Sequence, residues 1–154
     1  VAGEIIARGP QITTGYLNLP DETARQFRDG WFQTGDVGSV DQDGWLYLLD
    51  RKRDMVITGG ENVYTLEVEE ALTQHPEIVE AAVFGIPDEV YGESLVAALV
   101  VRNGARVPAE AMIDHCRKLI GGFKIPRRIY FLNELPKNTL GKIAKNELRR
   151  QYTN

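Results

Sequence analysis

The chain has 154 residues, 43% of them hydrophobic and 26% charged, enough for one domain with a sizeable core or for one small domain plus part of another. Eighteen Lys and Arg against 22 Asp and Glu leave a net charge of −4, which excludes a broad electrostatic footprint for DNA or RNA, although the C-terminal third is locally basic. The longest apolar run, Leu95 to Val101, is far short of the ~20 residues of a membrane helix, no cationic leader precedes an apolar segment, and a cytoplasmic protein is expected.

In chain order, Val1-Ala2-Gly3-Glu4-Ile5-Ile6 opens without a methionine, directly into a strand-like pattern, and reads as a piece of something longer. Strands are expected at Glu4 to Arg8, Trp31 to Thr34 and Trp45 to Leu49, the last after an Asp41-Gln42-Asp43-Gly44 turn. Between them Pro20 to Phe27 predicts one short helix, turned by Asp29-Gly30. This β-rich pattern ends in the charged run Asp50-Arg51-Lys52-Arg53-Asp54, which divides the chain into residues 1–50, a connector at 51–54, and a second domain at 55–154.

Thr58-Gly59-Gly60-Glu61-Asn62 predicts a turn. Thr65 is placed as a helix N-cap, with Glu67, Glu69 and Glu70 complementing the helix dipole, Leu66, Val68, Ala71 and Leu72 facing inward, and a stop at His75-Pro76. Val79 to Ile86 and Leu95 to Val101 read as two apolar strands, paired antiparallel across the polar loop Pro87 to Ser94. Pro108 opens a helix that runs through Leu119 and closes at Gly121-Gly122, Arg128 to Leu132 adds a third strand, and a last helix covers about Ile143 to Gln151. The expected class is α+β: a β-rich N-terminal segment, then a small α+β domain with a three-stranded sheet and packed helices.

The lone Cys116 cannot form an internal disulfide and falls beside Met112, Ile113 and Leu119 on a helix, a packing position. His75 and His115 have no second ligand near them in sequence, so no metal is expected. Four places could carry chemistry. Asp36, after Thr34-Gly35, could accept hydrogen bonds from two adjacent hydroxyls such as those of a ribose, or simply cap a turn. Arg51 could reach ribose or phosphate oxygens, or belong to an exposed charge run. Gly59-Gly60 could let backbone approach a narrow ligand, or only turn the chain. Leu135-Pro136-Lys137-Asn138-Thr139-Leu140-Gly141-Lys142-Ile143 is a turn that presents Lys142 just ahead of a helical stretch.

Taken together, in this order and spacing, Thr34-Gly35-Asp36, Asp50 to Asp54, Thr58 to Asn62 and the Lys142 turn resemble the adenylate-forming superfamily: acyl-CoA synthetases, peptide-synthetase adenylation domains and luciferases. The resemblance covers essentially the whole chain and is nearest to acyl-CoA synthetases. It implies ATP, CoA and a small-molecule carboxylic acid as substrates, with Mg2+ held mainly by ATP and by a missing N-terminal domain that also carries the acyl pocket and phosphate loop. It further implies that Asp36 and Arg51 hold the nucleotide, that Arg53 is the hinge where the family commonly has Asp or Lys, that Gly59, Gly60 and Tyr91 line a pantetheine tunnel, and that Lys142 is catalytic. Tyr91 reads equally as a half-buried aromatic, and Thr65 stands where CoA ligases of the family often carry proline. The role implied for Lys142 makes its acetylation a candidate regulatory step. The rival expectations are a non-catalytic α+β interaction module with Lys142 incidental, and another branch of the superfamily. The isolated chain is expected to be inactive, and the sequence leaves the oligomeric state open, a homodimer included.

Overall fold

Alternating side chains in the first fifty residues build an antiparallel sheet around one long strand. The computed structural model describes residues 1–153, and the chain divides into two compact units, Val1–Arg53 and the residues from Asp54 onward. The first unit contains β1 (Ala2–Ala7), α1 (Pro20–Gln26), β2 (Phe27–Arg28), β3 (Trp31–Val40) and β4 (Leu46–Arg51). Strand β3 pairs with β1 along one edge, and with β2 and then β4 along the other. It is longer than expected and runs straight through Thr34-Gly35-Asp36, which therefore does not end the strand. The three residues instead form a bulge: β1 advances two residues, from Glu4 to Ile6, where β3 steps back four, from Val37 to Gln33. Gly35, at φ +75°, permits it.

The second unit contains β5 (Val56–Thr58), β6 (Glu61–Val63), α2 (Thr65–Thr73), β7 (Ile78–Asp88), β8 (Gly92–Val101), α3 (Ala109–Leu119), β9 (Arg128–Leu132) and α4 (Lys145–Tyr152). Strands β7 and β8 are the expected antiparallel pair, zipped from Ile78–Val101 down to Asp88–Gly92, so most of the expected polar loop is ladder and only Glu89 to Tyr91 connect. Strand β9 joins β8 in parallel, the α3 crossover making that direction possible. The three expected strands become five because β5 and β6 form a hairpin that joins β8 at Thr58–Gly92. Three-residue strands leave too little alternation to be read from sequence.

Both faces of the β7–β8 pair are covered, which is why those strands are continuous apolar runs. On one face Val83, Leu95, Ala97 and Leu99 pack with Val68 and Leu72 of α2 and Met112 and Cys116 of α3. On the other, Ala82, Phe84, Val96 and Ala98 pack with Leu135 and with Leu148 of α4. Thr65 is not the cap of α2: Tyr64 takes that place, and Thr65 is the first helical residue, fully buried. Nor does Glu69 only complement the helix dipole. Its carboxylate accepts the Val83 N–H at 2.8 Å and pairs with Lys145 at 2.6 Å, tying α2 to β7 and α4.

Candidate active site

In the first unit the bulge on β3 aims a carboxylate. The Thr34 hydroxyl donates to the Ile5 carbonyl at 2.7 Å and accepts the Asp36 N–H at 3.1 Å, fixing the backbone on which Asp36 stands. Asp36 lies opposite Arg51 in the β3–β4 register, its Oδ1 3.6 Å from the guanidinium Nε. Asp50, buried, accepts the Arg51 N–H at 2.7 Å and anchors that strand end, and the Lys52 N–H closes on the Gly35 carbonyl at 2.8 Å. Asp36 and Arg51 are both half-exposed, so the pair adds little to stability and stays available to a ligand.

These groups face a cleft of about 530 Å³, lined among others by Glu4, Arg28, Thr34, Asp36, Arg51 and Arg53. A carboxylate that can accept from two hydroxyls beside guanidinium groups that can donate to an anion suits a ligand with vicinal hydroxyls and a phosphate, a nucleotide. The cleft brings Asp36, Arg51 and Arg53 together, and Arg53, exposed on the turn that ends the unit, is one of its walls as well as a connector residue. Its two carboxylates stand apart, each beside a cation, Asp36 by Arg51 and Glu4 by Lys52 at 2.6 Å, and no group of three or more His, Cys, Asp or Glu among the described residues could hold a metal. The residues present therefore do not fit a protein-bound Mg2+.

The second unit carries two separate features. Gly59 and Gly60 form the two-residue turn of the β5–β6 hairpin, at φ +58° and +84°, both in the left-handed region that such hairpin turns require. The Gly59 N–H donates to the Tyr91 carbonyl at 3.0 Å, and a Cβ on Gly59 would meet the Tyr91 ring at 3.4 Å. Tyr91 is half-exposed and carries the Arg127 guanidinium 3.7 Å above its ring. Backbone N–H groups of Tyr91 and Val90, donated to the Asp88 carboxylate, hold its pKa below the usual value, aided by the charges of Arg127 and Arg128. Glu93 accepts the Ile57 N–H at 2.8 Å and braces the hairpin from β8. Neither Arg127 nor Glu93 has a sequence signal of its own; each becomes visible only once the strands are paired.

Lys142 stands on the turn between β9 and α4. Asn138 Oδ1 accepts the N–H groups of Leu140 and Lys142, both at 3.0 Å, while the Asn138 N–H donates to the Lys142 carbonyl at 2.8 Å. Gly141, at φ +76°, donates its N–H to the Asn138 carbonyl, and Lys137 bridges to Ile143 at the base of the turn. Lys52, Lys124, Lys137 and Lys145 are each ion-paired, whereas Lys118, on the exposed face of α3, has no ion-pair partner among the described residues. Lys142 is exposed and makes no ion pair among the described residues. His75 and His115, far apart in sequence, do meet edge to face with ring centroids 5.3 Å apart, but one His115 nitrogen is bonded to the Ala71 carbonyl and His75 Nδ1 accepts the Glu77 N–H, a helix-packing arrangement.

Residues 67–142 match the family of the AMP-binding enzyme C-terminal domain. The chain is 46% identical over 149 residues to the 2-succinylbenzoate–CoA ligase of Geobacillus kaustophilus, covering 97% of this chain and 30% of that protein. It is 45% identical over 147 residues to a long-chain-fatty-acid–CoA ligase of Yersinia pestis, covering 96% and 26%. Among solved structures, ATP-bound MatB from Rhodopseudomonas palustris is similar at TM-score 0.92 and 38% identity, over 100% of this chain and 31% of that one. The chain thus spans less than a third of the length of these curated relatives.

Proposed function

Because the chain belongs to the adenylate-forming superfamily, as a C-terminal portion, we propose that it completes an ATP-dependent acid–thiol ligase, an acyl-CoA synthetase. In the first half-reaction a carboxylate oxygen attacks the α-phosphorus of ATP, the bond from that phosphorus to the pyrophosphate oxygen breaks, and an acyl-adenylate forms. In the second, the CoA sulfur attacks the acyl carbon, the bond to the adenylate oxygen breaks, the thiol proton leaves to solvent, and AMP is released. Asp36 accepts the ribose hydroxyls and Arg51 donates to ribose or phosphate oxygens. Mg2+ travels with the triphosphate and takes its ligands from phosphate oxygens and from outside this chain.

The observation that carries this reading is the contrast at Lys142. It is an exposed ammonium with no ion-pair partner among the described residues, on a turn in which the N–H groups of Asn138, Leu140, Gly141 and Lys142 are all bonded. What separates it from Lys118, which equally lacks such a partner among the described residues, is the braced turn, which holds the ammonium out where it can meet negative charge from elsewhere, here the charge that gathers between the attacking carboxylate and the α-phosphate. For the second half-reaction the Gly59-Gly60 turn, with Tyr91 behind it, offers a side-chain-free edge to the pantetheine arm of CoA. Exchanging one edge for the other requires the second unit to swing about Arg53.

The relatives are named for different acids, an aryl dicarboxylate and long-chain fatty acids, and the acyl pocket of this protein is assigned to residues outside the chain. No helix among the described residues is long and apolar enough to cross a membrane. The test is carboxylate-dependent ATP–pyrophosphate exchange by the full-length gene product, over acids from acetate through palmitate to 2-succinylbenzoate. Lys142→Ala should lower exchange with the accepted acid by about 10²–10³-fold. Unchanged exchange would refute the assignment.

A further inference from the structure

We propose that Asn138 is the positioning residue for Lys142, an inference that rests on the reading of Lys142 given above. A lysine that acts by its charge must have the root of its long, flexible stem fixed, because the stem itself supplies no restraint. Apolar contact secures only the base, where Ile143 packs on the sheet, whereas Thr139 and Leu140 at the tip of the turn are exposed, Leu140 at 79%. The restraint is polar and converges on one residue. Asn138 holds both backbone polar groups of Lys142, accepting its N–H through Oδ1 at 3.0 Å and donating its own N–H to the Lys142 carbonyl at 2.8 Å. The same Oδ1 accepts the Leu140 N–H at 3.0 Å, and the Asn138 carbonyl accepts the Gly141 N–H at 2.9 Å.

Below the turn the chain is already secured, with Leu135 buried, the Ala144 N–H on the Pro136 carbonyl at 2.8 Å, and Lys145 paired with Glu69. Losing the Asn138 side chain therefore releases the tip that carries Lys142 while the domain stays folded. An alanine at 138 keeps the backbone bonds but leaves the Leu140 and Lys142 N–H groups to water, and the ammonium samples a wider volume. An aspartate keeps an accepting oxygen in the same place.

The experiment uses the full-length gene product and the acid that wild type accepts. It compares wild type, Asn138→Ala, Asn138→Asp and Lys142→Ala in ATP–pyrophosphate exchange and in thioester formation from supplied acyl-adenylate and CoA, with the thermal unfolding midpoint as a control. Asn138→Ala should lower exchange roughly 10–100-fold, mostly in kcat. It should leave thioester formation and the midpoint near wild type, and Asn138→Asp should recover most of the exchange. Exchange unaffected by Asn138→Ala while Lys142→Ala is slow would overturn the role of Asn138 and leave that of Lys142 intact. Equal losses in both half-reactions would overturn it too, by showing a merely structural residue. Unchanged exchange in Lys142→Ala would remove the reading on which the inference stands.

Discussion

Lys142 and Lys145 lie three residues apart and meet opposite fates. Lys145 is largely buried, pairing with Glu69 and donating to the Thr65 hydroxyl at 2.7 Å, whereas Lys142 is exposed and pairs with nothing among the described residues. The turn chemistry of Asn138 and Gly141 was legible in sequence because both residue types have a conformational reason to be there. The ion pair of Lys145 was not, since its partners lie 76 and 80 residues away in the chain. Cys116 is a second residue that the helical spacing placed correctly, fully buried on α3. Burial pushes its thiol from 9.0 up to about 11, so the folded form disfavours the thiolate. Its contribution to stability is complete below the unfolded value and declines as pH rises from 9.0 toward 11. Near neutral pH, iodoacetamide should therefore leave Cys116 unmodified in the native protein and alkylate it quickly in denaturant; rapid native alkylation would contradict the packing of α3.

Among the elements, α2, α3 and the strands β7, β8 and β9 could be read from apolar runs and helical spacing, because tertiary packing there agrees with local pattern. The β5–β6 hairpin could not, and the Gly59-Gly60 turn was visible without the ladder that gives it a fixed edge. Thr65 was misplaced by one position: a threonine at a helix start usually caps, but here Tyr64 precedes the helix and burial takes the hydroxyl inward to Lys145. The Glu69–Lys145 pair is a polar link between helices on opposite faces of the sheet, beside the Lys145–Thr65 hydrogen bond, with side chains only 16% and 14% exposed. Glu69→Gln would leave a poorly hydrated ammonium without its counter-charge and should cost about 2–4 kcal/mol. In urea the midpoint should fall without a change in m; a shift no larger than that of an exposed pair, about 0.5 kcal/mol, would show that the link is unimportant.

At the scale of the whole molecule, two compact units meet in sequence at Arg53 and Asp54. The first has little core of its own, and Trp45, Leu46, Tyr47 and Leu48 are all more than half exposed. The second has apolar clusters on both faces of its sheet. The proposed nucleotide groups, Asp36 and Arg51, belong to one unit, and the proposed reaction groups, Lys142 and the Gly59-Gly60 edge, to the other. The family resemblance in motif order is what suggests roles for these residues, but the bulge that aims Asp36 and the bonds from the Asn138 side chain have no signal in it, since hydrogen bonds across a ladder or a turn leave no periodic trace. The proposed swing about Arg53 requires that the units exchange arrangements between half-reactions, and a distance between them tests this directly. Spin labels on Leu17→Cys and Val79→Cys, two exposed sites in different units, should report one interspin distance in the full-length protein with ATP. With a non-hydrolysable acyl-adenylate analogue and CoA the distance should be distinctly different. A single, identical distance under both conditions would contradict the swing that brings Lys142 to the nucleotide and carries it away.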